Sequence, residues 1–105
     1  MAKVFVDGRN VQRSQWPNLS EEELVERTRV WAERHGHEVV LIFDGEAPEG
    51  AIGSGSESAD DWLIREVPKH RGAWLVTSDR ALRDAAATQA GRVIGGGGFL
   101  RELEK

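Results

Sequence analysis

Five aspartates close four short segments of the chain: Val4-Phe5-Val6-Asp7, Val40-Leu41-Ile42-Phe43-Asp44, Ser58-Ala59-Asp60-Asp61 and Leu75-Val76-Thr77-Ser78-Asp79. Three of these segments are apolar runs of strand length, and Ser58-Ala59-Asp60-Asp61 opens a helical pattern. If the runs are neighbouring parallel strands, Asp7, Asp44 and Asp79 meet at one rim of a sheet, where Asp60 and Asp61 join them from the helix start. Carboxylates a few ångströms apart raise each other's pKa unless a cation neutralises them. An all-oxygen donor set without His or Cys selects a hard ion, so Mg2+ or Mn2+ is expected rather than zinc. Such ions activate a water and stabilise the oxygens of an in-line phosphoryl displacement, which makes phosphodiester chemistry the first expectation.

The elements that must carry these acids are legible from pattern. Lys3 to Val6 is a first strand, and Asp7 to Asn18 follows as a loop or short helix. Ser20 with Glu23 forms a capping box, after which Leu24, Thr28, Trp31, Ala32 and His35 share one helical face until Gly36 stops it. Glu38 to Phe43 is nearly continuously apolar, as expected of a parallel strand covered on both faces. Gly45 to Glu57, rich in Gly and Ser, reads as a mobile loop.

Ser58 caps a helix that buries Ala59, Trp62, Leu63 and Val67 and ends at Pro68. Ala73 to Thr77 is a third strand, Asp79 to Ala90 an alanine-rich helix, and Arg92 to Ile94 a last short strand. Gly95 to Gly98 reads as a flexible turn before an amphipathic stretch, Phe99 to Leu103. Strands alternating with helices imply an α/β fold: a three-layer, Rossmann-like domain with a central parallel sheet of about four strands, whose site lies at the carboxyl ends of the strands. A single domain over residues 1–105 is expected, since no linker or repeat interrupts the pattern.

A chain of 105 residues can bury roughly 60 to 70 % of its unfolded surface, enough for a core without staples. The absence of cysteine excludes disulfides and thiolate metal sites. No signal-peptide pattern and no membrane-length apolar run are present, so a soluble cytoplasmic protein without a membrane role is expected. The net charge of −4 argues against a protein that coats nucleic acid through excess Lys and Arg. The five motif aspartates outweigh that charge by themselves, so an RNA substrate remains compatible with it.

In order along the chain, Val6-Asp7-Gly8-Arg9-Asn10-Val11, Ile42-Phe43-Asp44-Gly45, Glu57-Ser58-Ala59-Asp60-Asp61-Trp62-Leu63-Ile64 and Val76-Thr77-Ser78-Asp79-Arg80 resemble the NYN domain of YacP-like proteins, within the PIN-like nuclease superfamily. Arg9 stands where that family's signature commonly has an aromatic. The resemblance implies a PIN-like sheet and a metal-dependent ribonuclease. It makes Asp7, Asp44, Asp60 and Asp79 the catalytic metal ligands, with Asn10 orienting metal-bound groups and Asp61 and Ser78 in support.

Each of these residues also has a purely structural reading. Asp-Gly pairs at Asp7 and Asp44 are common turns, and acids at Asp60, Asp61 and Asp79 favour a helix N-terminus whatever the function. For Asp61, in a capping box with Ser58, the structural reading is the stronger, and capping is the expected role of Ser78. Arg9 and Arg80 are candidates to grip phosphate, ahead of Arg13 and Arg83, and Trp16 to stack an unpaired base. Trp31, Trp62 and Trp74 are expected in the core. The Gly95 to Gly98 run lacks the Lys-Ser/Thr ending of a P-loop.

Competing classes are a non-catalytic RNA- or protein-binding module of the same fold and, less favoured, a phosphorylation-receiver domain. The receiver wants an adjacent acidic pair after the first strand, where this chain has Gly8, and a lysine after its last. A haloacid-dehalogenase phosphatase would need a second aspartate at Arg9. A homodimer or a completing protein partner is compatible with so short a domain.

Overall fold

A computed structural model describes residues 2–88 and 90–104. Five parallel strands form one sheet in the order β3-β2-β1-β4-β5. They are β1 (Lys3–Asp7), β2 (Glu38–Phe43), β3 (Ile52–Gly53), β4 (Trp74–Val76) and β5 (Arg92–Ile94). The helices are α1 (Gly8–Arg13), α2 (Glu21–His35), α3 (Ala59–Glu66), α4 (Arg80–Ala86) and α5 (Gly96–Leu103), with a 3-10 turn at Val67–Lys69.

The period-two alternation of the strands divides the core into two layers. Val4, Val6, Leu41, Phe43, Val76 and Ile94 face one side, where Val11 of α1, Leu24 and Trp31 of α2 and Phe99 of α5 cover them. Phe5, Ile42 and Leu75 face the other, against Ala59 and Leu63 of α3 and Leu82 and Ala86 of α4. Burial of each large apolar side chain contributes roughly 1.5–3 kcal/mol, so both layers hold the sheet from its two sides. α2 forms as its sequence dictates: Ser20 Oγ accepts from Glu23 N at 3.1 Å, and Gly36 ends the helix at φ 68°.

Four details differ from the sequence expectation. The sheet has five strands rather than about four, because part of the stretch expected to be a mobile loop pairs with β2 through Ile42–Ile52 and Phe43–Gly53. Ser54 fastens this stretch, donating from N to Phe43 O at 2.9 Å and from Oγ to Glu57 O at 2.6 Å. Gly96 to Gly98 are the first turn of α5 and not a flexible turn. Their helical form is imposed by packing of Phe99 and Leu100 and by a bond from Gly96 N to Ser78 Oγ, 2.9 Å. α4 ends at Ala86, four residues short of Ala90, and His35 is exposed where the helical period had placed it on the buried face.

Candidate active site

β1 is the strand at which the sheet order reverses. β2 and β3 lie on one side, β4 and β5 on the other, so chains leaving β1 and β4 open a crevice at the carboxyl end of the sheet. α1 starts directly after Asp7, and its first residue must be small. A Cβ at Gly8 would stand 2.6 Å from the Phe43 ring and 2.9 Å from the Ile42 carbonyl.

The acids are delivered by four separate joints. Asp7 ends β1 and is 7 % exposed. Thr77, fully buried after β4, donates from Oγ1 to Asp7 Oδ2 at 3.1 Å and accepts from Asp79 N at 3.2 Å, so one hydroxyl links two of the aspartates. Asp79 is the N-cap of α4, with Oδ1 accepting from Leu82 N at 3.0 Å. Asp44 follows β2, and its Oδ1 accepts from Ala59 N at 2.8 Å, tying it to the start of α3. Ser58 caps α3 by accepting from Asp61 N at 3.0 Å, which sets Asp60 in the first helical turn.

These joints surround a cavity of about 250 Å³ lined by Asp7, Arg9, Asn10, Arg13, Asp44, Ser58, Asp60 and Asp79. The four aspartates named as ligands, together with Asn10 and Arg9, are therefore brought to one place. Asp61, Ser78, Arg80 and Trp16 do not line it. Ser78 acts beside it as a connector rather than as a helix cap, since the cap of α4 is Asp79. Its N–H donates to Asn10 Oδ1 at 2.9 Å while its Oγ receives Gly96 N, which ties α1, the β4–α4 joint and α5 together. The lining role of Arg13 had a sequence signal, its spacing of four from Arg9 on one helix face. Arg83, the other lower-ranked phosphate candidate, does not line the cavity and instead donates from Nε to the Thr77 carbonyl at 2.8 Å.

The electrostatics follow from this crowding. Burial pushes the Asp7 carboxyl up from 3.8 to about 6; the Asp60 and Asp44 charges push the same way, and bonds from Thr77 and the Asn10 backbone only partly offset them. The Asp60 carboxyl is raised first by burial, then by the charges of Asp79, Asp44 and Asp61. Among the described residues neither Arg9 nor Arg13 forms an ion pair with any cavity aspartate; Arg9 sits 3.1 Å from Glu21 instead.

Among the described residues no three His, Cys, Asp or Glu side chains are gathered tightly enough to ligate one ion as they stand. The donor set nevertheless fits a hard divalent cation. It consists of carboxylate oxygens buried and crowded enough to raise the Asp7 and Asp60 carboxyls and, among the described residues, not ion-paired with the two arginines that share the cavity, and Mg2+ typically keeps several waters while taking only one or two carboxylates.

Two solved structures superpose on this fold over nearly the whole chain. One is a point mutant of Rae1 (YacP) from Bacillus subtilis, with a TM-score of 0.81 and 18 % identity over 99 % of this chain and 76 % of that one. The other is Rae1 (YacP) from the same organism, with a TM-score of 0.76 and 16 % identity over 99 % of this chain and 74 % of that one. The fold is YacP-like. No protein-family model matches the sequence, and no curated protein does. The likeness is thus one of backbone, and the chemistry of the cavity has to be read from the chain's own side chains. None of the helices among the described residues is long and apolar enough to cross a membrane.

Proposed function

We propose that the chain is a cytoplasmic, metal-dependent ribonuclease that hydrolyses phosphodiester bonds of RNA at the Asp7, Asp44, Asp60 and Asp79 cavity. The observation that carries this reading is the convergence of four carboxylates from separate joints on one crevice, with Asp7 driven up to about 6. Isolated turn or cap residues would have no reason to share a cavity in which, among the described residues, none of the aspartates is ion-paired, and perturbed carboxyls in a cleft mark functional sites. The YacP-like backbone of the neighbours agrees with it.

Bound Mg2+ or Mn2+ would supply an activated water and charge neutralisation at the phosphate. The chain's own contribution is positioning. Thr77 holds Asp7 and the Asp79 main chain in register, and Asn10, anchored through Oδ1 to Ser78 N, is fixed on the cavity wall. Asp44 and Asp79 each spend one oxygen on a helix N–H, which fixes the carboxylate plane and leaves the second oxygen for a ligand. Asp60 has no donor among the described residues and is the acid most able to turn toward an ion or a water.

Calorimetric titration of Mn2+ into wild type and Asp60→Asn, with labelled single-stranded RNA cleavage on the same samples, tests the reading. Binding and cleavage lost together in the variant support it. An unaltered Mn2+ affinity with no cleavage by the wild type refutes it. One observation favours a second reading, an RNA-binding module without catalysis: no three carboxylates yet close on a common point. That reading expects RNA binding indifferent to both Mn2+ and the aspartates.

A further inference from the structure

Resting on the reading of an RNA-cleaving cavity, we propose that α1 is the wall along which the substrate strand leaves it. Arg9 and Arg13 take two successive phosphates of a single-stranded RNA, and Trp16 stacks the base beyond them.

Both arginines line a cavity that is otherwise acidic, yet neither is consumed by its aspartates. Their spacing of four residues places them on one face of α1, about 6 Å apart along the axis. Arg9 is held in one orientation. Its Nη1 donates to Gln12 Oε1 at 3.2 Å and lies 3.1 Å from Glu21 Oε2, while the guanidinium rests over the Phe43 ring at 5.5 Å. Gln12 is itself buried and anchored, donating from Nε2 to the Leu19 carbonyl at 2.9 Å. Both polar contacts of Arg9 use Nη1, so the edge formed by Nε and Nη2 has no acceptor among the described residues. That edge is the one that matches two phosphate oxygens. Arg13 has neither an ion pair nor a hydrogen bond from its side chain among the described residues.

Trp16 lies three residues beyond Arg13 and is 90 % exposed, against 43 % for Ile52, the next most exposed large apolar residue. Trp31, by contrast, is 3 % exposed in the core. An indole left in solvent three residues past the end of a helix that carries two arginines is an arrangement for stacking an unpaired base. A duplex keeps its bases inside, so the strand on this side of the cleaved bond must be single.

The test is fluorescence anisotropy with a short labelled single-stranded RNA and the full chain, measured across KCl concentrations, in chelator and separately in Mg2+. Arg9→Gln and Arg13→Gln are each expected to reduce the slope of log Kd against log salt by about 0.7, the loss of one phosphate contact to a single strand. Trp16→Ala is expected to weaken binding at least about fivefold with the slope unchanged. Arg9→Lys should keep the slope and lose affinity, and Arg34→Gln, at the far end of α2, should change neither. Circular dichroism confirms that each variant is folded. Slopes unmoved by both arginine variants, or no RNA binding by the wild type in either condition, overturn the proposal. Because binding in chelator is read without turnover, RNA cleavage in Mn2+ with unmoved slopes in chelator condemns the strand path alone. The expected slopes without any cleavage would uphold the path and condemn the nuclease.

Discussion

Asp7→Asn should make the metal-free protein more stable at neutral pH while removing a residue the proposed chemistry needs. The Asp7 carboxyl titrates at about 6 in the folded chain against 3.8 for the ordinary group. A raised folded value means that the native state holds the proton more tightly than the unfolded chain does. Ionising Asp7 therefore costs native stability as pH rises through about 4 to 6, and the whole cost is present above 6. At ~1.4 kcal/mol per tenfold, the ionised carboxylate costs about 3 kcal/mol at pH 7. Asparagine carries no charge and its amide oxygen still accepts from Thr77, so the expected gain is about 1–3 kcal/mol. For a domain of this size that is a rise in Tm of roughly 5–15 °C. Thermal unfolding in chelator at pH 7.5 and pH 4 measures it, and the gain should shrink to nearly nothing at pH 4, where both carboxyl and amide are neutral. A variant less stable than wild type at pH 7.5, or a gain equal at the two pH values, would refute the argument. Saturating Mn2+ should narrow the gap by stabilising the wild type alone.

Other outcomes follow from the same contacts. Asp79→Asn keeps a capping oxygen and should leave Tm nearly unchanged while abolishing cleavage; Asp79→Ala should lose cleavage and also about 1 kcal/mol, read by urea unfolding. Thr77→Val should push the Asp7 carboxyl still higher and cost about 1–3 kcal/mol, because it strips Asp7 of a donor and Asp79 N of its acceptor; an NMR titration of the Asp7 carboxyl carbon reads the shift. Gly96→Ala places a Cβ against Ser14 Oγ and 2.7 Å from Asn10 Oδ1 and should destabilise by about 1–3 kcal/mol, whereas Gly97→Ala, with nothing closer than 3.9 Å, should be tolerated. Mn2+ affinity should fall as pH drops below about 6, because the Asp7 proton competes with the ion; isothermal titration at pH 5 and 7.5 measures this.

Most of the architecture could be read without coordinates because it depends on local periodicity. The Ser20 cap, the Gly36 stop and the Ser58 cap all lie where the pattern placed them, since each needs only neighbours within one helical turn, although the Glu23 carboxylate pairs with Arg27 rather than closing a box back onto Ser20. The misreadings share a cause. Ile52–Gly53 became a strand through pairing with β2, and Gly96 to Gly98 became helical through contacts with Ser78 and α1. Neither Gly-rich stretch carries a local signal for the form it takes. His35 fits the helical period of α2, yet it stays exposed at the last residue of the helix, its ring beside those of Trp31 and His37.

The candidate site divides along the same line. Amino-acid sequence alone determined that acids follow apolar runs, that no soft ligand accompanies them, and that Arg9 stands where the resembled family commonly has an aromatic. Tertiary structure alone decided that β1 is the reversal point of the sheet, so that Asp7 and Asp79, 72 positions apart in the chain, share the hydroxyl of Thr77. It also decided that Asp44 is tied to α3, that Arg13 lines the cavity while Arg80 does not, and that Asp7 is buried enough to titrate near 6. Residue type and spacing set which groups are available for chemistry. Desolvation and mutual charge depend on which of them are packed together, and only the closed fold determines that.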